Sequence, residues 1–121
     1  MTVGIVLVDH GSKRAEANEM LEDVARVFRE RTGAAIVEAA HMELASPSLG
    51  DAFDRCVARG ATRVVIHPYF LAPGRHSTSD IPRLAAEAAA RHPGVSYAVT
   101  APLGVDERIA DVIAARVREA G

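Results

Sequence analysis

The chain has one cysteine, no tryptophan, and only two tyrosines and three phenylalanines among its 121 residues. A single thiol, Cys56, cannot close an internal disulfide, so a reducing compartment is the expected setting. It also excludes an iron–sulfur cluster or a zinc site built from cysteines of this chain. With few aromatics, the core must be made of Val, Ile, Leu and Ala. No apolar run approaches the ~20 residues that span a bilayer. The first apolar run begins at Thr2, so no leader peptide is expected. A cytoplasmic protein without membrane contact is therefore expected. The formal net charge is -2, and no block of like charge occurs, so there is no electrostatic footprint for nucleic acid. Neither G-x-G-x-x-G nor G-x-x-x-x-G-K is present, which argues against nucleotide binding by those loops.

What is present is an alternation. Four β-branched apolar runs, near 2–9, 34–40, 63–69 and 95–100, alternate with four helical patterns. The runs are nearly continuous, as in parallel strands covered on both faces. The first helix is expected over about 13–31, with Met20, Leu21, Val24, Val27 and Phe28 on one face and Gly33 just past its end. The second is expected over about 47–59, with Ser46 as N-cap, Pro47 at the first helical position, and Leu49, Phe53, Cys56 and Val57 inward. The third starts near Asp80, takes Pro82 in its first turn, and ends at His92-Pro93-Gly94. The fourth covers about 106–120, with Ile109, Val112, Ile113 and Val117 inward. One α/β domain follows, three-layered and flavodoxin-like, with a four-stranded parallel sheet in the order 2-1-3-4. In that order the first and third strands are neighbours whose connections leave in opposite directions, and ligands bind in the crevice beyond their C-terminal ends.

Two strand tips present a histidine in that crevice. Val8 runs into Asp9-His10-Gly11-Ser12, and Val64-Val65-Ile66 runs into His67-Pro68-Tyr69-Phe70-Leu71-Ala72-Pro73-Gly74-Arg75-His76. His10 is either a loop-packing residue or a metal ligand or base; a histidine at the tip of a core strand favours the second. His76 gains meaning from a partner across the switch point, and Glu43, at the exit of the second strand, adds a hard oxygen. Two imidazoles and a carboxylate suit Fe²⁺, Co²⁺ or Ni²⁺ with positions left open, and an imidazole also accepts protons near neutral pH. His41 either lines this site or packs at its strand end. Asp9 orients His10 or bonds loop amides. His67 reads as a hydrogen-bonded core residue, His92 as a surface residue and Cys56 as core. Lys13, Arg14, Arg75 and Arg83 cluster around the loops; focused on the crevice, they suit a polyanionic substrate. A receiver-type phosphorelay domain would want an aspartate where His67-Pro68 stands, and the first loop lacks the arginine of histidine-phosphatase loops.

At these residues the chain resembles the small sirohydrochlorin chelatases, the CbiX-like family. The segments that carry the resemblance are Val8-Asp9-His10-Gly11-Ser12, His41-Met42-Glu43-Leu44-Ala45-Ser46-Pro47-Ser48, and Pro68 through His76 with Asp80-Ile81-Pro82. The resemblance covers nearly the whole of residues 1–121 and implies a class II chelatase half-domain that pairs as a homodimer, larger relatives carrying two such domains. It implies insertion of a divalent metal into sirohydrochlorin, a tetrapyrrole polycarboxylate. The family's two histidines fall on His10 and His76 and its acidic position on Glu43, as metal ligands and catalytic groups. Gly11, Ser12, Lys13, Arg14, Arg75 and Ser77 are then expected to bind the substrate's carboxylates. No cofactor beyond the substrate metal is expected. The wording of the second and third motifs is most similar to chloroplast-type sirohydrochlorin ferrochelatases, though the cluster cysteines of those proteins have no counterpart here. Fe²⁺ and siroheme synthesis are favoured, Co²⁺ and cobalamin synthesis next. A non-catalytic metal or tetrapyrrole carrier would use the same residues.

Overall fold

The computed structural model describes residues 1–121 except for the side chains of residues 75–78. Its elements follow the order β1 (Val3–Asp9), α1 (Ala15–Thr32), β2 (Ile36–His41), α2 (Leu49–Ala58), β3 (Arg63–Pro68), α3 (Arg75–Ala90), β4 (Ser96–Val99) and α4 (Glu107–Glu119). The four strands form one parallel sheet, β2-β1-β3-β4, as the alternation of patterns predicts. No described helix is long and apolar enough to cross a membrane.

The pleat sends alternate residues to opposite faces. Val6 and Val8 of β1, and Val64 and Ile66 of β3, pack against Leu49, Ala52, Phe53 and Cys56 of α2 and Ile81, Ala85 and Ala88 of α3. On the other face Leu7, Val37 and Ala39 pack against Leu21 and Ala25 of α1. Close approach on the α2 face depends on Gly4. A Cβ there would fall 2.8 Å from Cys56 Cβ and 3.1 Å from Ala61 Cβ. Cys56 is a fully buried core residue; burial, with the charge of Glu38 second, pushes its thiol up to about 12.

Helix boundaries depart from expectation in physically informative ways. The N-cap of α2 is Ser48, not Ser46: Ser48 Oγ accepts from Asp51 N, and the Asp51 carboxylate accepts from Ser48 N, a reciprocal capping box. Pro47 lies outside the helix, after a cis Ser46–Pro47 bond. Helix α3 begins at Arg75, so Pro82 sits inside it rather than in its first turn. His92 is not a surface residue. Its Nε2 lies 2.7 Å from Asp54 Oδ1, which also accepts from Arg91 at 2.9 Å, and its ring stacks on Phe53. These contacts clamp the end of α3 onto α2. Arg83 points to solvent partners on its own helix, Asp80 and Glu87.

The larger departure concerns the α1 face. Helix α4 has no buried residue, and among the described residues no Cα of α4 comes within 8 Å of another helix or strand. Val112, Ile113 and Val117, expected inward, are 52%, 59% and 67% exposed. Met20 and Val27 of α1 are also exposed, because the buried stripe of α1 runs through Leu21 and Ala25 instead. With one helix on this face, β3 is not covered on both sides. Its residues alternate between half-buried and buried, the pattern of a strand with one open face.

Two outcomes are expected. Gly4→Ala lowers stability by roughly 1–3 kcal/mol through overpacking against Cys56, measured by urea unfolding. For Asp54, partial burial raises the carboxyl pKa, but the hydrogen bonds from His92 and Arg91 outweigh it and hold the folded value below the ordinary one. Its contribution is therefore complete above about pH 4 and is lost as the pH falls through the depressed folded value. Asp54→Asn should flatten that part of the acid limb in a stability–pH series.

Candidate active site

The exits of β1, β2 and β3 meet at one edge of the sheet. The β1–β2 ladder does not stop at the strand ends: Met42 N donates to Asp9 O at 2.9 Å and Glu43 N to His10 O at 3.2 Å. The two exits thus run paired as backbones as far as Glu43, whose side chain is not among those lining the cleft beside His10. The approach is so close that a Cβ on Gly11, which has φ +89°, would overlap the Glu43 carbonyl oxygen. Glycine is required here by a protein carbonyl rather than by an approaching ligand. On the other side, Tyr69 N donates to Val8 O at 2.7 Å, carrying the β3 exit alongside the same loop.

The Asp9 carboxylate holds this corner. Its Oδ1 accepts from Gly11 N at 3.0 Å and lies 2.6 Å from His41 Nδ1. His41 is only 2% exposed. It does not line the cleft; it stands behind it, anchored also by its backbone N–H on Pro47 O. Asp9 accordingly bonds a loop amide and His41, the second of the two roles its position suggested.

Asn18, which carries no motif signal, locks the rest of the loop. Its Oδ1 accepts from Ser12 N at 3.0 Å and its Nδ2 donates to Ser12 O at 2.8 Å, while Ser12 Oγ accepts from Arg14 N. The amides of both Gly11 and Ser12 are therefore already donated within the protein. They are not left for an anion, contrary to the expectation from a helix N-terminus. The Ser12 hydroxyl proton remains for a ligand.

These loops border a cleft of about 300 Å³ lined by Asp9, His10, Gly11, Ser12, Asn18 and Phe70, with Ala17, Met20 and Tyr69 completing it. The His10 ring stacks on Phe70, centroids 4.2 Å apart and planes 26° from parallel. Phe70 is another residue that motif reading passes over; it is largely buried and fixes the plane of an otherwise exposed imidazole. Lys13 and Arg14 follow on the exposed side of the loop, and Glu43 is exposed. The side chains of Arg75, His76 and Ser77 lie outside the described residues, although α3 begins at Arg75, directly after the β3 exit loop. Among the described residues no three His, Cys, Asp or Glu side chains form a metal-binding cluster. His67 is half-buried at the end of β3, its Nδ1 2.8 Å from Thr100 Oγ1. It is hydrogen-bonded as expected but faces the open side of the sheet, and desolvation, partly offset by the Ala101 backbone, lowers its pKa.

The chain is similar to known proteins over almost its full length. It is 55% identical over 115 residues to a chloroplastic sirohydrochlorin ferrochelatase of Arabidopsis thaliana, covering 95% of this chain and 51% of that one. It is 35% identical to a sirohydrochlorin cobaltochelatase of Methanosarcina barkeri, covering 98% and 96%. Among solved structures, the sirohydrochlorin chelatase SirB from Bacillus subtilis subspecies spizizenii in complex with cobalt superposes with a TM-score of 0.90 at 28% identity, over 98% of this chain and 51% of that one. The chain thus spans about half the length of several relatives it matches and nearly all of another. The CbiX family profile matches residues 4–120, and the chain belongs to the CbiX family.

Proposed function

We propose that this chain inserts a divalent metal, Fe²⁺ in preference to Co²⁺, into sirohydrochlorin, in siroheme or cobalamin synthesis and in a reducing, cytoplasmic setting. The observation that carries the reading is His10 at the tip of β1, held flat against Phe70 over a cleft where three strand exits meet. The names of the similar proteins give the substrate class.

The reaction exchanges M²⁺ for the two inner N–H protons of the macrocycle. His10 and His76 hold the ion and accept protons, and Glu43 adds a carboxylate oxygen beside His10. A neutral imidazole has a single lone pair, so a nitrogen that holds the ion cannot take a proton until the ion has left. Delivery and proton uptake are therefore sequential on one histidine or divided between the two. The stacked Phe70 keeps the His10 plane fixed through both steps. Peripheral carboxylates fall to Lys13, Arg14, Arg75, Ser77 and the Ser12 hydroxyl, with Gly11 shaping the loop. The only metal required is the one inserted, and no cluster takes part. A cleft of about 300 Å³ is at the lower limit for a ligand pocket. The chain acts in this reading as a homodimer, as the family resemblance implies.

The test is an anaerobic assay of the purified protein with sirohydrochlorin and Fe²⁺ or Co²⁺, followed by absorption. Turnover beyond one equivalent is expected; stoichiometric binding without acceleration would overturn catalysis in favour of a carrier. His10→Ala and His76→Ala should each lower kcat/KM by about 10²-fold or more. Asp9→Ala strips the acceptor from Gly11 N and His41 Nδ1. It should cost about 1–3 kcal/mol in urea unfolding and roughly tenfold in kcat/KM, because the loop that presents His10 loosens.

A further inference from the structure

Among the described residues, no lysine or arginine lines the cleft beside His10. Lys13 and Arg14 lie on the exposed side of the loop. The carboxylate of the wall, Asp9, offers a polyanion nothing, and its Oδ1 is already engaged by Gly11 N and His41 Nδ1. The backbone amides of Gly11 and Ser12 are spent as well. Donors for a substrate carboxylate inside the cleft must then be neutral side chains. The described wall holds the Ser12 hydroxyl, the Tyr69 phenol and the Asn18 amide. The two hydroxyl protons can rotate, so only the Asn18 amide has its donors fixed in direction by bonds to the protein.

Asn18 is half-buried near the start of α1. Its Oδ1 accepts from Ser12 N and its Nδ2 donates to Ser12 O. Both bonds go to one residue, so the two ends of the amide are distinguished: a flipped amide would set oxygen against the Ser12 carbonyl and nitrogen against its N–H. Nδ2 carries two protons. One goes to Ser12 O, and among the described residues no hydrogen bond takes the other. The amide is planar, so the two Ser12 bonds also set the direction of that second N–H. The Ser12 amide is the donor that a Gly-Ser entrance to a helix ordinarily presents to an anion. Asn18 takes that donor and brings an N–H of its own to the cleft.

We propose that Asn18 binds one peripheral carboxylate of the tetrapyrrole through its second Nδ2 proton, with the Ser12 hydroxyl as the neighbouring donor. The assignment rests on the substrate reading above and names a contact within that same site. A neutral donor suits a wall that also contains Asp9. A lysine or arginine there would compete with Gly11 N and His41 for the Asp9 carboxylate and loosen the corner that presents His10, whereas an amide binds an anion without that competition. The bonds that lock the loop also hold Asn18 rigid, so the substrate contact and the placement of His10 share one frame.

Two substitutions in the whole chain separate a substrate contact from a loop-holding role, because the two roles rank them in opposite order. Asn18→Asp keeps an oxygen for Ser12 N and Asn18→Ala keeps nothing, so a residue that only held the loop would suffer more from alanine. A residue that donates to a carboxylate suffers more from aspartate, which sets a negative charge where the donor stood. Binding of metal-free sirohydrochlorin, followed by its absorption, is expected to weaken about tenfold in Asn18→Ala and clearly further in Asn18→Asp. The ratio between the two variants should shrink in about 0.5 M salt, which screens charge repulsion. In the metal-insertion assay the loss should fall on KM more than on kcat. Aspartate binding as tightly as alanine or more tightly overturns the assignment, and so does a ratio that salt leaves unchanged. A parent chain that does not bind sirohydrochlorin removes the substrate reading itself. A parent that binds, with both variants binding equally well, removes only the part given to Asn18.

Discussion

The backbone pairing between the exits of β1 and β2 sets the geometry on which the site depends. A parallel ladder ordinarily ends where its strands end, yet here it continues through Met42 and Glu43 to the carbonyls of Asp9 and His10. The continuation demands that the chain after His10 turn sharply away while passing within contact of the Glu43 carbonyl. Only a residue without a Cβ, in a left-handed conformation, meets both demands, and Gly11 is that residue. The Asp9 carboxylate then fixes the turn by taking the Gly11 amide on one oxygen and His41 on the same atom. A buried imidazole and a half-buried carboxylate thus serve as the frame, leaving His10 to project into the cleft.

The two faces of the sheet contrast. The α2–α3 face is sealed, with Gly4 and Cys56 in direct contact across it and the His92–Asp54 pair tying its two helices together. The α1 face is half covered, and its apolar floor is continuous with an apolar ridge on α1. Apolar surface of this extent is rare on a chain that works alone. The difference between the faces accounts for the burial pattern along β3, where Val64 and Ile66 are closed off and Val65 and His67 are not.

The amides of Gly11 and Ser12 illustrate how a local signal is overruled. A Gly-Ser loop leading into a helix presents free N–H groups in many anion sites. In this chain Asn18, a turn further on, reaches back to one of them and Asp9 takes the other. The loop gains rigidity from these bonds, and neither amide is left over for a ligand.

Hydrophobic period and turn residues alone specify the strands, the helices and a parallel sheet with right-handed crossovers; the 2-1-3-4 order is one choice compatible with them, and only the pairing of β1 with both β2 and β3 decides it. The same short-range information marks Leu49, Phe53 and Cys56 as core. It does not distinguish Ser46 from Ser48 as a cap, since either precedes the helix by the right chemistry, and only the path of the loop from His41 to Pro47 selects Ser48. Nor does it tell which apolar stripe is covered. The stripe of α4 has the pattern of a packed helix, and the connection pinned across Phe70 and Leu71 decides that it leaves its own sheet. Amphipathicity is a property of a segment, but what buries it is set by where the neighbouring segments hold its ends.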